Sequence, residues 1–245
     1  MPACLLNDPS RTPFQANPFG WATAVPNARY SCKLRARATE VLVRPGKIIG
    51  VGRNYVEHAA ELGNAVPERP LLFFKPPTAV IGDGDPIVLP PESTQVDFEA
   101  EIGVVIGARL RRGTEAQARV AIAGITCVND VTARDIQRRE EQWARAKGFD
   151  TFCPVGPRVV PVAPDRLTEL EVVCRVNGRE RQRGRASQMA FGIVALVAYV
   201  SQAMTLEPGD LIATGTPAGV GPLQPGDVVE VEIPGVGVLR NPVVA

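Results

Sequence analysis

Two glutamates, Glu99 and Glu101, stand two residues apart in the stretch VDFEAEIGVVIG (96–107). The stretch alternates. Phe98, Ala100, Ile102, Val104 and Ile106 fall on one face of an extended strand, and Asp97, Glu99 and Glu101 on the other. The apolar face reads as core, which sets these acids apart from an ordinary solvated charge run. Carboxylates at i and i+2 are about 6.6 Å apart along a strand, and at an effective dielectric of about 20 they repel by about 2.5 kcal/mol. Exposed to water, the charges need no partner; in a cleft they need a cation. Three carboxylates are hard oxygen donors, better suited to Mg²⁺, Mn²⁺ or Ca²⁺ than to Zn²⁺.

The chain has one histidine, His58. Chemistry that needs an imidazole must use it or one from another subunit, and a zinc site with two histidines of this chain is excluded. His58 lies in VEHAAELG (56–63), whose pattern predicts a short helix closed by Gly63. Glu61, three residues on, shares its face of that helix. A carboxylate one turn away can hold the ring and stabilise its cation, as a general base drawing a proton from water requires. A lone histidine is as readily structural. Lys147 follows a charged helical stretch and suits either the surface or an enolate that needs positive charge. Asp130 stands at the polar exit of ITCVNDV (125–131), where an Asn-Asp pair also caps turns.

The elements that must position these residues are mostly strands. Gly and Pro number 23 each in 245 residues, which implies many turns. VLVRPGKIIGVG (41–52) reads as two short strands broken at Pro45-Gly46, and LLFFKPP (71–77) as a buried strand. AVIGDGDPIVLPP (79–91) reads as strand, turn, strand. TEAQARVAIAG (114–124) reads as a helix, and TARDIQRREEQWARAKG (132–148) as helix or charged excursion. Asn177-Gly178 predicts a type I′ hairpin turn. SQMAFGIVALVAYVSQAM (187–204) predicts an apolar core helix with Ser187 as N-cap. Pro-Gly-Asp turns at 208–210 and 225–227 each launch a strand, and the last strand pairs back across Gly235. The fold class is α+β, strand-rich, with a mixed sheet. Residues 1–46 read as a short N-terminal lobe or lead-in with little core of its own.

Composition excludes several functions. A formal net charge of +1 offers no electrostatic case for nucleic acid or an anionic membrane. No apolar run approaches the roughly 20 residues of a membrane span. The N-terminus lacks the basic and apolar regions of a signal peptide, so a cytoplasmic location is expected. The five cysteines (Cys4, Cys32, Cys127, Cys153, Cys174) form no CxxC pair, which suits buried thiols in a reducing compartment. GVGRNY (50–55) lacks the third glycine of a dinucleotide fingerprint, and GTPAGVGP (215–222) lacks the Gly-Lys-Ser/Thr of a phosphate loop. The arginine runs at 109–112 and 179–185 lack interleaved aromatics and read as solvated faces.

Taken together, IIGVGRNYVEHAAELG, LLFFKPPTAVIGDGDPIVLP, VDFEAEIGVVIG, VNDVTARDIQ, WARAKGFDTFCPVGP, MTLEPGDLIATGTPAGVG and GDVVEVEIPGVGVLRNPV resemble the fumarylacetoacetate hydrolase family, in order, from about Lys47 to Asn241. The likeness is to its small single-domain branch of 2-hydroxyhepta-2,4-diene-1,7-dioate isomerases, acylpyruvate hydrolases and oxaloacetate decarboxylases. The resemblance implies a mixed β-sheet roll over 47–245, a homodimer, and Mg²⁺ or Mn²⁺ held against the two oxygens of a small 2-oxo acid. It implies that Glu99, Glu101 and Asp130 are the metal ligands and that His58 and Glu61 are a water-activating dyad. It makes Lys147 the stabiliser of an enolate-like product, and Arg53, Gln137 and Thr216 substrate contacts. Arg134 fits the same segment as a contact or as structure. Hydrolysis, isomerisation and decarboxylation all remain open, and a non-catalytic metal-binding protein is the alternative of another class.

Overall fold

The computed structural model describes residues 45–61, 63 and 65–245. The strand expected before Pro45 and the expected N-terminal lobe, apart from Pro45 and Gly46, lie outside them. β1 (Ile48–Gly52) runs into α1 (Val56–Glu61), and the chain returns as β2 (Leu71–Lys75). Two-residue strands β3 (Val80–Ile81) and β4 (Ile87–Val88) follow. The acidic stretch forms β5 (Val96–Phe98) and β6 (Ala100–Ile106); α2 (Glu115–Ala121) then leads straight into β7 (Ile122–Asn129). Next come β8 (Thr132–Ala133), α3 (Arg134–Arg139), α4 (Ala144–Gly148) and β9 (Cys153–Val160). β10 (Glu171–Val176) and β11 (Arg179–Arg185) form a hairpin, and α5 (Ile193–Ala203) follows. The chain ends with β12 (Leu211–Ala213), β13 (Gly221–Pro222), β14 (Val228–Ile233) and β15 (Gly237–Val244).

Among the described residues these strands make a seven-stranded sheet in the order β2-β1-β12-β6-β7-β9-β3, a five-stranded sheet β11-β10-β14-β15-β4, and a small sheet β13-β5-β8. Most pairs are antiparallel, while β1–β12, β3–β9 and β4–β15 are parallel, so the fold is a strand-rich, mixed α+β arrangement. β6 lies at the centre of the large sheet and is buried along its whole length. Ile102, Val104 and Ile106 enter the main core, and Val105 on the opposite face joins a smaller one with Val128 and Leu211. Burial on both faces explains why the strand is nearly all apolar apart from its acids.

Several expected elements change shape. The acidic strand breaks at Glu99: its N–H donates to the Asn129 side chain (2.9 Å), and the chain passes from the small sheet into the large one. β2 is half-buried rather than buried, with Phe74 exposed on the sheet edge. β3 and β4 do not pair with each other but with β9 and β15. The helix expected over 114–124 ends at Ala121, and Ile122 to Gly124 belong to β7. Ser187 caps nothing. It lies in a 3₁₀ turn, and α5 starts at Ile193 because Ala190 N–H bonds Asn54 O (2.7 Å) and Phe191 N–H bonds the Asn54 side chain (2.9 Å). Those tertiary bonds hold the backbone outside the helix. Elsewhere expectation and structure agree. Gly63 closes α1 at φ +69°, and Asn177 and Gly178 turn the β10–β11 hairpin at φ +52° and +74°. The thiols of Cys127 and Cys174 are buried, and burial pushes both up to about 12.

Candidate active site

A cleft of about 500 Å³ opens where β1, β2, α1, α3, α4 and the end of β7 converge. Every residue singled out from the sequence lines it: Arg53, His58, Glu61, Glu99, Glu101, Asp130, Gln137, Lys147 and Thr216. The register explains the meeting of the acids. Ala100 pairs with Asn129, so Asp130 follows directly beside Glu99 and its N–H bonds Glu99 O at 2.8 Å. One carboxylate oxygen from each of Glu99, Glu101 and Asp130 lies within 4.8 Å of the others, and all three side chains are buried. Asp97, on the same strand face by alternation, is not in this cluster. The break at Glu99 turns it away, and it accepts instead from Arg134 Nε at 2.8 Å.

Cations are interleaved with these acids. Lys147 on α4 donates to Glu99 (2.8 Å) and Asp130 (2.5 Å). Lys75 at the end of β2 donates to the other Asp130 oxygen at 2.6 Å. Arg134 bonds Asp97, Glu99 and Gln137, the last at 2.6 Å, so each of its three guanidinium nitrogens helps to hold the site together. Burial opposes the charge on Glu99, but Lys147 and Arg134 outweigh it and hold the carboxyl well below the usual carboxylate range. Burial likewise opposes the charge on Lys147, and Asp130 and Glu99 raise it nonetheless. Glu101 differs. Burial and the charges of Asp130 and Glu99 push its carboxyl well up, with Lys147 and the Gly215 N–H (2.7 Å) as weaker opposition. Among the described residues no basic side chain bonds it.

On the cleft wall α1 presents the dyad. His58 is buried, and its Nδ1 lies 3.1 Å from Glu61 Oε2, which leaves Nε2 as the ring nitrogen not occupied by Glu61. The Gly219 N–H donates to both Glu61 oxygens at 3.0 and 3.2 Å, clasping the helix to the loop after β12. Opposite stand Phe73 and Trp143, edge to face at 5.6 Å, with the Arg53 guanidinium 5.9 Å over the Trp143 ring. Sequence reasoning overlooked Lys75, although a single charge in the apolar run LLFFK was a signal. It also overlooked Asn54, fully buried, whose side chain ties the β1–α1 corner to Thr214 O (2.7 Å) and Phe191.

The family model described as fumarylacetoacetate (FAA) hydrolase C-terminal matches residues 47–244. The chain belongs to the fumarylacetoacetate hydrolase family. The human mitochondrial oxaloacetate tautomerase FAHD2A is 43% identical over 215 residues, which are 83% of this chain and 68% of that one. Among solved structures of similar proteins, a 5-carboxymethyl-2-hydroxymuconate delta-isomerase from Mycobacterium smegmatis is 47% identical with a TM-score of 0.75, covering 82% of this chain and 80% of that one. A 2-hydroxyhepta-2,4-diene-1,7-dioate isomerase from Mycobacterium marinum is 46% identical with a TM-score of 0.75, covering 82% and 75%. Members of the family are enzymes, and the strand-rich mixed fold described above is theirs.

The cluster fits the divalent cation that family members commonly use. Its donors are all carboxylate oxygens, the set a hard ion prefers. The buried side chains of the floor are Asp97, Glu99, Glu101 and Asp130 against Lys75, Arg134 and Lys147, one negative charge in excess. Glu101 is the acid that no basic side chain bonds, and burial beside Asp130 and Glu99 disfavours its charge.

Proposed function

We propose that the chain is a divalent-metal-dependent isomerase or tautomerase of small 2-oxo acids, moving a proton to and from the carbon beside the 2-oxo group. The observation that carries this reading is the shared cleft: a buried cluster of three carboxylates, a buried lysine at its floor and a carboxylate-held imidazole on its wall. A tautomerase and two isomerases stand among the relatives, and tautomerisation and isomerisation of such acids both require a proton shift of this kind. Glu99, Glu101 and Asp130 would hold Mg²⁺ or Mn²⁺, which when bound supplies a Lewis acid to the oxygens of a 2-oxo acid. Lys147 adds positive charge where an enolate develops it. His58 takes the proton on Nε2, Glu61 stabilises the imidazolium that results, and the same ring returns the proton to carbon. Arg53, Gln137 and Thr216 orient the substrate from the rim and walls.

Hydrolysis of an acylpyruvate C–C bond is a second reading, favoured by the accessibility of Glu61, whose side chain is 34% exposed at the edge of a buried imidazole. Water that reaches this edge can be activated by the dyad. The edge of the seven-stranded sheet offers a route to the proposed homodimer: Phe74 on edge strand β2 is exposed beside half-buried Leu71 and Leu72. Oxaloacetate, acylpyruvates and 2-hydroxyhepta-2,4-diene-1,7-dioate, each with Mg²⁺ or Mn²⁺, form the deciding panel. Metal-dependent enol–keto conversion or double-bond shift is expected, followed by ultraviolet absorbance. No acceleration of any of them with either ion would overturn the reading, and cleavage to two acids would replace it with the second.

A further inference from the structure

Strand β11, RERQRGR, has the composition of a solvated face, and its arginines are exposed. Gln182 in its middle is not: it is 1% exposed. Its amide makes three hydrogen bonds. Oε1 accepts from Ala100 N–H at 3.0 Å, and Nε2 donates to Thr216 Oγ1 and to Pro217 O, both at 2.7 Å. Ala100 is the residue between Glu99 and Glu101. The loop 215–219 carries the Gly215 N–H that bonds Glu101 and the Gly219 N–H that clasps Glu61. One side chain therefore joins the strand bearing two of the acids to the loop that steadies both Glu101 and the dyad.

We propose that Gln182 is a positioning residue that holds the carboxylate cluster and the His58–Glu61 dyad in mutual register. The proposal rests on the functional reading above. The chemistry selects glutamine: an amide accepts on one atom and donates twice from another, which neither an ionised carboxylate nor an apolar chain can do. The loop and the strand are also in close contact. A Cβ on Gly219 would stand 2.1 Å from Arg181 O, and one on Gly184 2.6 Å from Pro217 Cβ, so the loop rests directly on β11. Loss of the amide leaves Ala100 N–H and Pro217 O buried without partners, and both groups must shift to find them.

Gln182→Met keeps length and removes every bond. Titration of the metal-free protein with Mn²⁺ by calorimetry should show affinity weakened about tenfold, the scale typical of lost support to a ligand shell. Amide hydrogen exchange over residues 56–61 should quicken by a similar factor. A folded Gln182→Met with the parent's Mn²⁺ affinity and the parent's exchange overturns the proposal, since a residue that merely stabilised the fold would lower the melting temperature and leave Mn²⁺ affinity alone. Where Gln182→Met does not fold, Gln182→Asn, with the amide on a shorter stem, should move both readouts in the same directions by less, and parent values again overturn the idea. A parent protein that binds no Mn²⁺ would overturn the metal reading and the cluster half of this proposal, and exchange at 56–61 then decides the dyad half.

Discussion

In the proposed reaction His58 and Glu61 divide one task between them: the carboxylate fixes Nδ1 and the charge, and the ring keeps Nε2 for the substrate. The acids of the proposed metal site stand elsewhere, Glu99 at the break between β5 and β6, Glu101 on β6 and Asp130 just after β7, and bond neither residue. His58→Ala should therefore cost about 10²- to 10⁴-fold in kcat for proton transfer, the range for a lost general base. Mn²⁺ affinity should stay within about twofold of the parent's. Steady-state rates and calorimetry on one preparation measure the two effects. A variant that loses Mn²⁺ binding along with the rate would show that the histidine supports the cluster rather than the proton.

At the scale of elements, the cleft wall is made by what two strands lack. Gly50 of β1 pairs directly with Phe73 of β2, and the ring lies where a Cβ on Gly50 would be, 2.1 Å from Phe73 Cζ. That ring also sits 4.9 Å from Lys147 Nζ. Gly50→Ala must displace the ring, which lines the cleft, and the cleft is where it is expected to go. The expected result is a fall of about tenfold in kcat/KM, carried mainly by KM, with Mn²⁺ affinity unchanged; a KM equal to the parent's would mean that the ring has somewhere else to go. What the sequence made legible was local. Alternation placed Glu99 and Glu101 on one face, helical spacing put Glu61 beside His58, and Asn177-Gly178 and the Pro-Gly-Asp turns marked their own corners. What stayed hidden depends on pairing between distant segments. Lys75 reaches Asp130 across 55 positions, Gln182 reaches Ala100 across 82, and Asn54 reaches Phe191 across 137. No periodicity within one segment encodes such partners. The same bonds explain why Ser187 was a false cap, since Asn54 claims the backbone ahead of α5.

Over the whole molecule the charges nearly cancel, at a formal +1, yet the buried floor of the cleft sets four acids against three bases, and Glu101 is the acid whose ionisation burial and its acidic neighbours oppose. No helix among the described residues is long and apolar enough to cross a membrane. A cation that binds the folded cluster and not the unfolded chain stabilises the fold by mass action, about 2.7 kcal/mol at a concentration 100-fold above its dissociation constant. For a chain of this size each kcal/mol moves the melting temperature by about 2–4 °C. The EDTA-treated protein should therefore melt about 5–10 °C lower than the protein saturated with Mg²⁺ or Mn²⁺. Glu101→Gln separates this linkage from a general salt effect. The amide oxygen still accepts from Gly215 N–H, the carboxyl whose charge burial opposes is gone, and a bound metal would lose a ligand. Without metal the variant should melt at or above the parent's temperature, and added Mn²⁺ should no longer raise it. Equal melting temperatures for the parent with and without Mn²⁺, or a rise in Glu101→Gln as large as the parent's, would show that Glu101 is not where the missing charge belongs.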